Sequence, residues 1–296
     1  MQEHCSVIDL LLSMWKAVGM PPTTGLRARM RAELTSEIKD EARRQLAAEG
    51  APGLSLRAVT RALGMSSSAI YRYFPSRDDL LTALIVDAYD AVGEAAEEAD
   101  AGCPRGDYGG RWRAVGRAVR RWSLDNPHEY ALVYGSPVPG YRAPEDTVGP
   151  ASRVTLVLAR LVDDAVRAGV LARDAAADDL PPLDEDGRNA LRTLVDLAFP
   201  EVPDVVAVRA VATWTQLFGM ISFELFGHFH KVIDDVDVVF DRTLLEMGRL
   251  VGFPPPHSAS RPDHTVGTGV PDHASGATGD GRGGPPDGED EVWFLV

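Results

Sequence analysis

The sequence predicts an all-α protein, with an N-terminal three-helix helix-turn-helix domain followed by a C-terminal helical bundle. Three observations carry that expectation. The stretch LSLRAVTRALGMSSSAIYRYFPSRDDLLTAL, from Leu54 to Leu84, reads as two short helices joined at Gly64 and followed by a third. Apolar residues recur at helical spacing further along, as at Trp112, Val115, Val119 and Trp122. The run WTQLFGMISFELFGHF, Trp214 to Phe229, is apolar on both sides of a helix, more than an ordinary surface helix carries.

Taken in order, residues 1–25 form an N-terminal extension. Ile8 to Val18 can make a short amphipathic helix, but Met20-Pro21-Pro22-Thr23-Thr24-Gly25 reads as a linker, and Met14, Met20 and Met30 offer alternative translation starts. A basic helix is expected from Leu26 to Ala48, with Leu34, Ile38, Ala42 and Leu46 on one stripe. In the next helix Leu56, Val59 and Leu63 share a face with Ala62 beside them, while Arg57 and Arg61 lie elsewhere. Gly64 ends it through the left-handed conformation, and Met65 plugs the angle. A hydroxyl of Ser66, Ser67 or Ser68 is expected to cap the following short helix. There Ile70 and Phe74, four apart, face inward and leave Ser67, Ala69, Tyr71, Arg72 and Tyr73 facing out. Pro75 stops that helix, and Ser76 with Asp79 makes a capping-box-like start for the next. This arrangement is that of a DNA-reading helix-turn-helix over residues 26–79.

The run LGMSSSAIYRYFPSRDDLLTAL resembles the DNA-binding domain of the TetR family of bacterial transcriptional regulators, in the order and spacing of its second, third and fourth helices. Arg77 stands where that family usually has lysine, and a guanidinium can hold a phosphate there too.

Beyond the helix-turn-helix, residues 80–253 are expected to form a regulatory and dimerisation domain. Leu80, Leu81, Leu84, Ile85, Ala88 and Val92 line a long helix that runs out in Glu94 to Asp100; the resemblance makes it the link between domains. Around Gly102 to Gly110 a loop precedes the Trp112–Trp122 helix. In NPHEYALVYGSPVPGYRAPEDT, Asn126 to Thr147, Tyr130, Val133 and Tyr134 line a short helix, and Pro137, Pro139 and Pro144 force an extended loop. Helices are expected over Pro150–Ala168, Arg188–Phe199, Trp214–Phe229 and Val238–Val251. The Asn126–Thr147 and Trp214–Phe229 runs resemble an actinobacterial-type TetR branch with a Trp-His-Gly-like regulatory domain. Phe218 replaces its usual His, while Gly219, Glu224, Leu225, Phe226 and Gly227 keep register. Residues 254–296, rich in Pro, Gly, Asp and His, are expected to be a disordered tail.

Composition narrows the function. At 296 residues and 45% hydrophobic content the chain can bury a real core, and its net charge of -14 argues against a protein that coats DNA indiscriminately. Yet residues 26–80 hold ten Lys or Arg against seven Asp or Glu, about +3, which leaves about -17 for the rest. The basic surface is local, as a site-specific binder requires. Cys5 and Cys103 make neither a disulfide framework nor a metal pattern, and no secretory signal or uninterrupted membrane-length apolar run is expected, which fits the cytoplasm.

The DNA-contact candidates are Arg57, Ser66, Ser67, Ser68, Ala69, Tyr71, Arg72, Tyr73 and Arg77. Ser67, Ala69, Tyr71 and Arg72 face the major groove, with Arg72 suited to guanine and Ala69 to a thymine methyl. Arg57, Tyr71, Tyr73 and Arg77 suit phosphates. Tyr73 has a second reading as half-buried packing against the first helix, and Arg57 as a solvated charge. Two copies on a two-fold axis read a palindrome with half-sites roughly 34–36 Å apart, so a homodimer is expected. Its interface is assigned to Phe223, Leu225, Phe226 and Phe229. The resemblance implies a small-molecule effector that releases operator DNA. Trp112, Trp122, Tyr130, Tyr134, Tyr141, Phe199, Trp214 and Phe218 are candidates for its pocket, with plain core packing as the alternative for each. No cofactor is expected. Rival readings are a helical adaptor that does not bind DNA and a small helical enzyme. For a metalloenzyme His228 and His230, two apart on a helix, point to different sides.

Overall fold

A computed structural model describes residues 23–171, 183–198 and 202–254, and every regular element among them is helical. The α-helices are α1 (Thr23–Gly53), α2 (Leu56–Ala62), α3 (Arg77–Ala101), α4 (Tyr108–Asp125), α5 (Pro127–Tyr134), α6 (Val148–Arg167), α7 (Glu185–Ala198), α8 (Asp204–Leu225) and α9 (Val236–Val251). Short 3-10 turns occupy Ile70–Arg72 and Glu145–Thr147. The chain divides into two compact units, one of Met1–Gly102 with Val115–Arg160, the other of Cys103–Ala114 with Leu161–Val296.

The first unit is built on the apolar stripes that the sequence marks. Ile38, Ala42 and Leu46 of α1 are buried with Leu56 and Val59 of α2, Ile70 and Phe74, and Leu80, Leu81, Leu84 and Ile85 of α3. Leu132, Val133, Val138 and Tyr141 pack on that same core, so the helix-turn-helix shares its hydrophobic centre with α5 and the loop after it. Polar ties reinforce the packing. The Tyr89 hydroxyl donates to the Val133 carbonyl at 3.1 Å, and the Tyr141 and Thr82 hydroxyls lie 2.9 Å apart. Asp87 of α3 takes Lys39 and Arg43 of α1, each at 2.7 Å, while Arg43 Nε lies 3.7 Å from Glu129 of α5. Arg153 of α6 grips α3 in the same way: it meets Glu97 at 3.0 and 2.7 Å and donates to the Asp90 carbonyl and carboxylate at 2.9 and 2.8 Å. Those hydrogen bonds hold the Glu97 carboxyl below its ordinary range, against the opposing effect of desolvation.

In the second unit, Trp112 of α4 is buried and its indole N–H donates to the Leu244 carbonyl of α9 at 2.8 Å, with Phe253 6.0 Å away between ring centres. Arg111 is almost wholly buried, and Asp164 of α6 balances its charge at 2.9 Å. Leu217 and Ile221 of α8 and Phe240, Leu244 and Met247 of α9 are also buried.

Several expected bounds move. The first helix begins at Thr23, so Thr23–Gly25 are helical instead of linker. The Trp214–Phe229 helix stops at Leu225, because Gly227 takes a φ of 75° and closes the end. By length and composition alone α8 could cross a membrane, although its sequence holds no uninterrupted apolar run of that length. Arg209, Thr213, Thr215 and Gln216 break the run without removing its overall apolar character. The expected helix at Ile8–Val18, Phe199 and the tail from 255 onward lie outside the described residues.

Candidate nucleic-acid interface

The edge that would meet DNA is assembled by three local devices. At the end of α2, Gly64 adopts a φ of 62°, which lets the Met65 N–H reach the Thr60 carbonyl at 2.9 Å and the Gly64 N–H reach Arg61 at 3.3 Å. These are the two bonds of a Schellman motif, and Met65 folds back onto the core as the accompanying apolar contact. From Ser66 the chain then makes successive tight turns. Ala69 N–H bonds to the Ser66 carbonyl, Arg72 to Ala69, and Tyr73 and Phe74 to Ile70, at 2.9 to 3.2 Å.

The expected serine cap does not form. No side-chain cap closes this segment, because its three-residue bonding leaves a 3-10 turn in place of a regular α-helix, and all three serines remain exposed. At the far end Ser76 Oγ accepts from Asp79 N–H at 3.1 Å and bonds the Asp79 carboxylate at 2.7 Å, so α3 starts where the capping pattern places it.

The inward pair Ile70 and Phe74 is buried and fixes the turn, while Ser66, Ser67, Ser68, Tyr71 and Arg72 are exposed and Ala69 is half-exposed beside them. Arg57 is exposed on α2. Tyr73 is half-buried on the core, its ring under the Arg31 guanidinium at 5.4 Å. Arg77 sits differently from a free phosphate ligand. Its Nε donates to the Leu54 carbonyl at 3.0 Å and one Nη to Ala51 at 2.6 Å, while the other Nη pairs with Asp78 at 3.3 Å. The guanidinium therefore ties the start of α3 to the chain leaving α1.

Sequence reasoning missed Arg31, whose Nη2 donates to the Arg72 carbonyl at 2.9 Å. The signal was present in the closely spaced Arg27, Arg29 and Arg31, which no acidic residue interrupts before Glu33. It also missed Arg153, which nothing in the neighbouring residues distinguishes from a surface charge.

The pocket candidates are divided. Trp122, Tyr130, Tyr134 and Tyr141 belong to the first unit, and Trp112, Trp214 and Phe218 to the second. Tyr130 is fully buried with Tyr134 5.0 Å away, and Tyr134 meets Tyr89 edge-on at 5.8 Å. Burial drives the Tyr134 hydroxyl strongly upward in pKa, with Tyr89 and Tyr130 adding to it, so that hydroxyl stays neutral. Trp214 meets Phe218 edge-on on α8. Trp112 lines a cavity of about 190 Å³ with Leu245, Gly248, Phe253 and Pro254, where Arg242, Glu246 and Arg249 add charge. Of the interface candidates, Phe223 is 53% and Phe226 45% exposed, while Leu225 and Phe229 are half-buried.

Comparison with known proteins matches this layout. Residues 38–84 fit the family described as bacterial regulatory proteins, tetR family, and residues 112–247 the tetracyclin repressor-like C-terminal domain. The chain belongs to the TetR family. Similar relatives include the HTH-type transcriptional regulators Rv1816 of Mycobacterium tuberculosis and Mb1846 of Mycobacterium bovis. Each is 40% identical over 222 residues, spanning 73% of this chain and 92% of the relative. Among solved structures, the regulatory protein SCO4313 superposes with a TM-score of 0.60 at 34% identity, covering 74% of this chain and 97% of its own. As a TetR-family transcription regulator the chain binds DNA and is not an enzyme.

Proposed function

We propose that this TetR-family regulator is a cytoplasmic, homodimeric repressor that reads a palindromic operator and leaves it when a small molecule binds. The observation that carries the reading is the exposed edge from Ser66 to Arg72, held to the core by Ile70 and Phe74. Arg72 reads guanine, Ala69 meets a thymine methyl, and Ser66, Ser67, Ser68, Tyr71, Tyr73 and Arg57 complete the contact set. Arg77 supports that surface from behind, through the carbonyls of Ala51 and Leu54.

One such edge offers few long side chains, so specificity needs a second copy at fixed spacing. Phe223 and Phe226, exposed at the end of α8, supply an apolar face for that copy, with Leu225 and Phe229 beside them. The effector, an unidentified small molecule, must favour a dimer whose two edges are wrongly spaced, because equal affinity for both states shifts nothing.

A gel shift on DNA upstream of the gene, at two salt concentrations, tests the reading. Sequence-specific retention that weakens with salt is expected. An absence of retention at low salt would sink it.

A further inference from the structure

The first turns of α1 extend well past the core that the rest of the helix helps to build. Ile38 is the first fully buried residue of that helix, and Thr23 lies fifteen residues before it, about 22 Å along the axis. Leu26 and Met30 are more than 60% exposed, and Arg27 and Arg29 are exposed as well. The family match for the DNA-binding domain begins at Ile38, so this extension precedes it.

Two facts give the extension a direction. Arg27, Arg31, Leu34 and Ile38 succeed one another at spacings of four, three and four, which puts them on one side of the helix. Along that stripe Ile38 and Leu34 meet the core, and Arg31 reaches the DNA-facing turn through the Arg72 carbonyl and the Tyr73 ring. Arg27 comes next, about 6 Å further on. No hydrogen bond or ion pair engages it among the described residues.

Resting on the operator-binding reading, we propose that Arg27 contacts a phosphate of the duplex flanking each half-site, with Arg31 holding the extension against the reading edge. A helix about 10–12 Å across does not enter a minor groove about 6 Å wide, so the contact is with the backbone. It adds affinity and leaves base preference unchanged. Arg29, on the opposite side of the helix, takes no part.

The test uses the full chain and duplexes recovered from a randomised library. One duplex ends at the half-sites; the other carries about ten more base pairs on each side, one helical turn. On the longer duplex Arg27→Ala should weaken binding and reduce the slope of log affinity against log salt by about 1.8, since each of the two protomers loses one phosphate at about 0.9 apiece. On the shorter duplex it should match the parent, and Arg27→Lys should keep the parent's slope on both. Selected sequences and thermal unfolding should stay the same. An unchanged slope on the longer duplex overturns the proposal, as does an equal loss on both duplexes. If the parent itself selects no sequence, the operator-binding reading fails and takes this inference with it; if the parent selects one and the slope does not move, this inference alone fails.

Discussion

The ends of α2 and α8 are closed by the same backbone device and offer opposite chemistry. At both, a glycine with positive φ lets one N–H bond five residues back and another three back. Met65 reaches Thr60 and Gly64 reaches Arg61; His228 reaches Phe223 and Gly227 reaches Glu224. Beyond the end of α2 the chain presents three exposed serines, Tyr71 and Arg72. Around the end of α8 stand Phe223 and Phe226, with the His228 and Phe229 rings tilted against Phe223 at 4.9 and 5.8 Å between ring centres. The turn geometry therefore says nothing about the partner. The outward side chains do: hydroxyls and a guanidinium suit a polyanion, and phenyl rings suit an apolar surface.

That contrast can be broken most forcefully at the apolar end. Phe223→Asp with Phe226→Asp should cost association at least about 2 kcal/mol per interface site, seen by sedimentation as monomer, while the helical signal stays unchanged. A dimer that persists would place the interface elsewhere. Next, Arg72→Ala should lower operator affinity by about 1–3 kcal/mol and relax base preference at one position; unchanged selectivity in a binding-site selection refutes its assignment.

A third change separates reading from scaffolding at the polar end. Arg77→Ala should cost about 1–3 kcal/mol of stability by leaving the Ala51 and Leu54 carbonyls without their charged donor. Its salt slope for DNA binding should not move. The reverse pattern, a lower slope at unchanged thermal midpoint, would restore the phosphate role. The smallest effect is expected at Glu97, which is partly exposed, so that solvent screening weakens the pair. Its carboxyl is lowered in the folded state, so the Arg153 pair stabilises above the ordinary carboxylate range and is lost as pH falls through it. Melting curves of the parent and Glu97→Gln should therefore differ at neutral pH and converge in acid; identical curves at neutral pH would contradict this.

Much of the fold was legible in the chain. Helical periodicity located the buried stripes because burial and spacing are linked directly, as at Leu80, Leu81, Leu84 and Ile85. Gly64 and the Ser76–Asp79 pair announced their turns because each rests on a property of a residue and its immediate neighbours. The serines misled for a related reason: a hydroxyl before a short helix suggests a cap, but three-residue bonding in the adjoining turn leaves it unused. Arg77 and Arg31 were harder. Their partners at Ala51, Leu54 and Arg72 are backbone carbonyls over twenty residues away, and a carbonyl leaves no mark in the sequence.

The ion pairs of Asp87 bear on how such regulators can be recombined. Lys39 and Arg43 come from α1, Asp87 from α3, and Glu129 from α5, so charges from three helices balance one another within a single compact unit. A hybrid made by grafting residues 26–79 onto a foreign body would strand Lys39 and Arg43 without Asp87 and Glu129, and would cut the apolar centre that Leu132, Val133 and Tyr141 help to fill. The interchangeable module is larger than the helix-turn-helix: a viable chimera has to carry α3 and the Asn126–Tyr141 segment along with it.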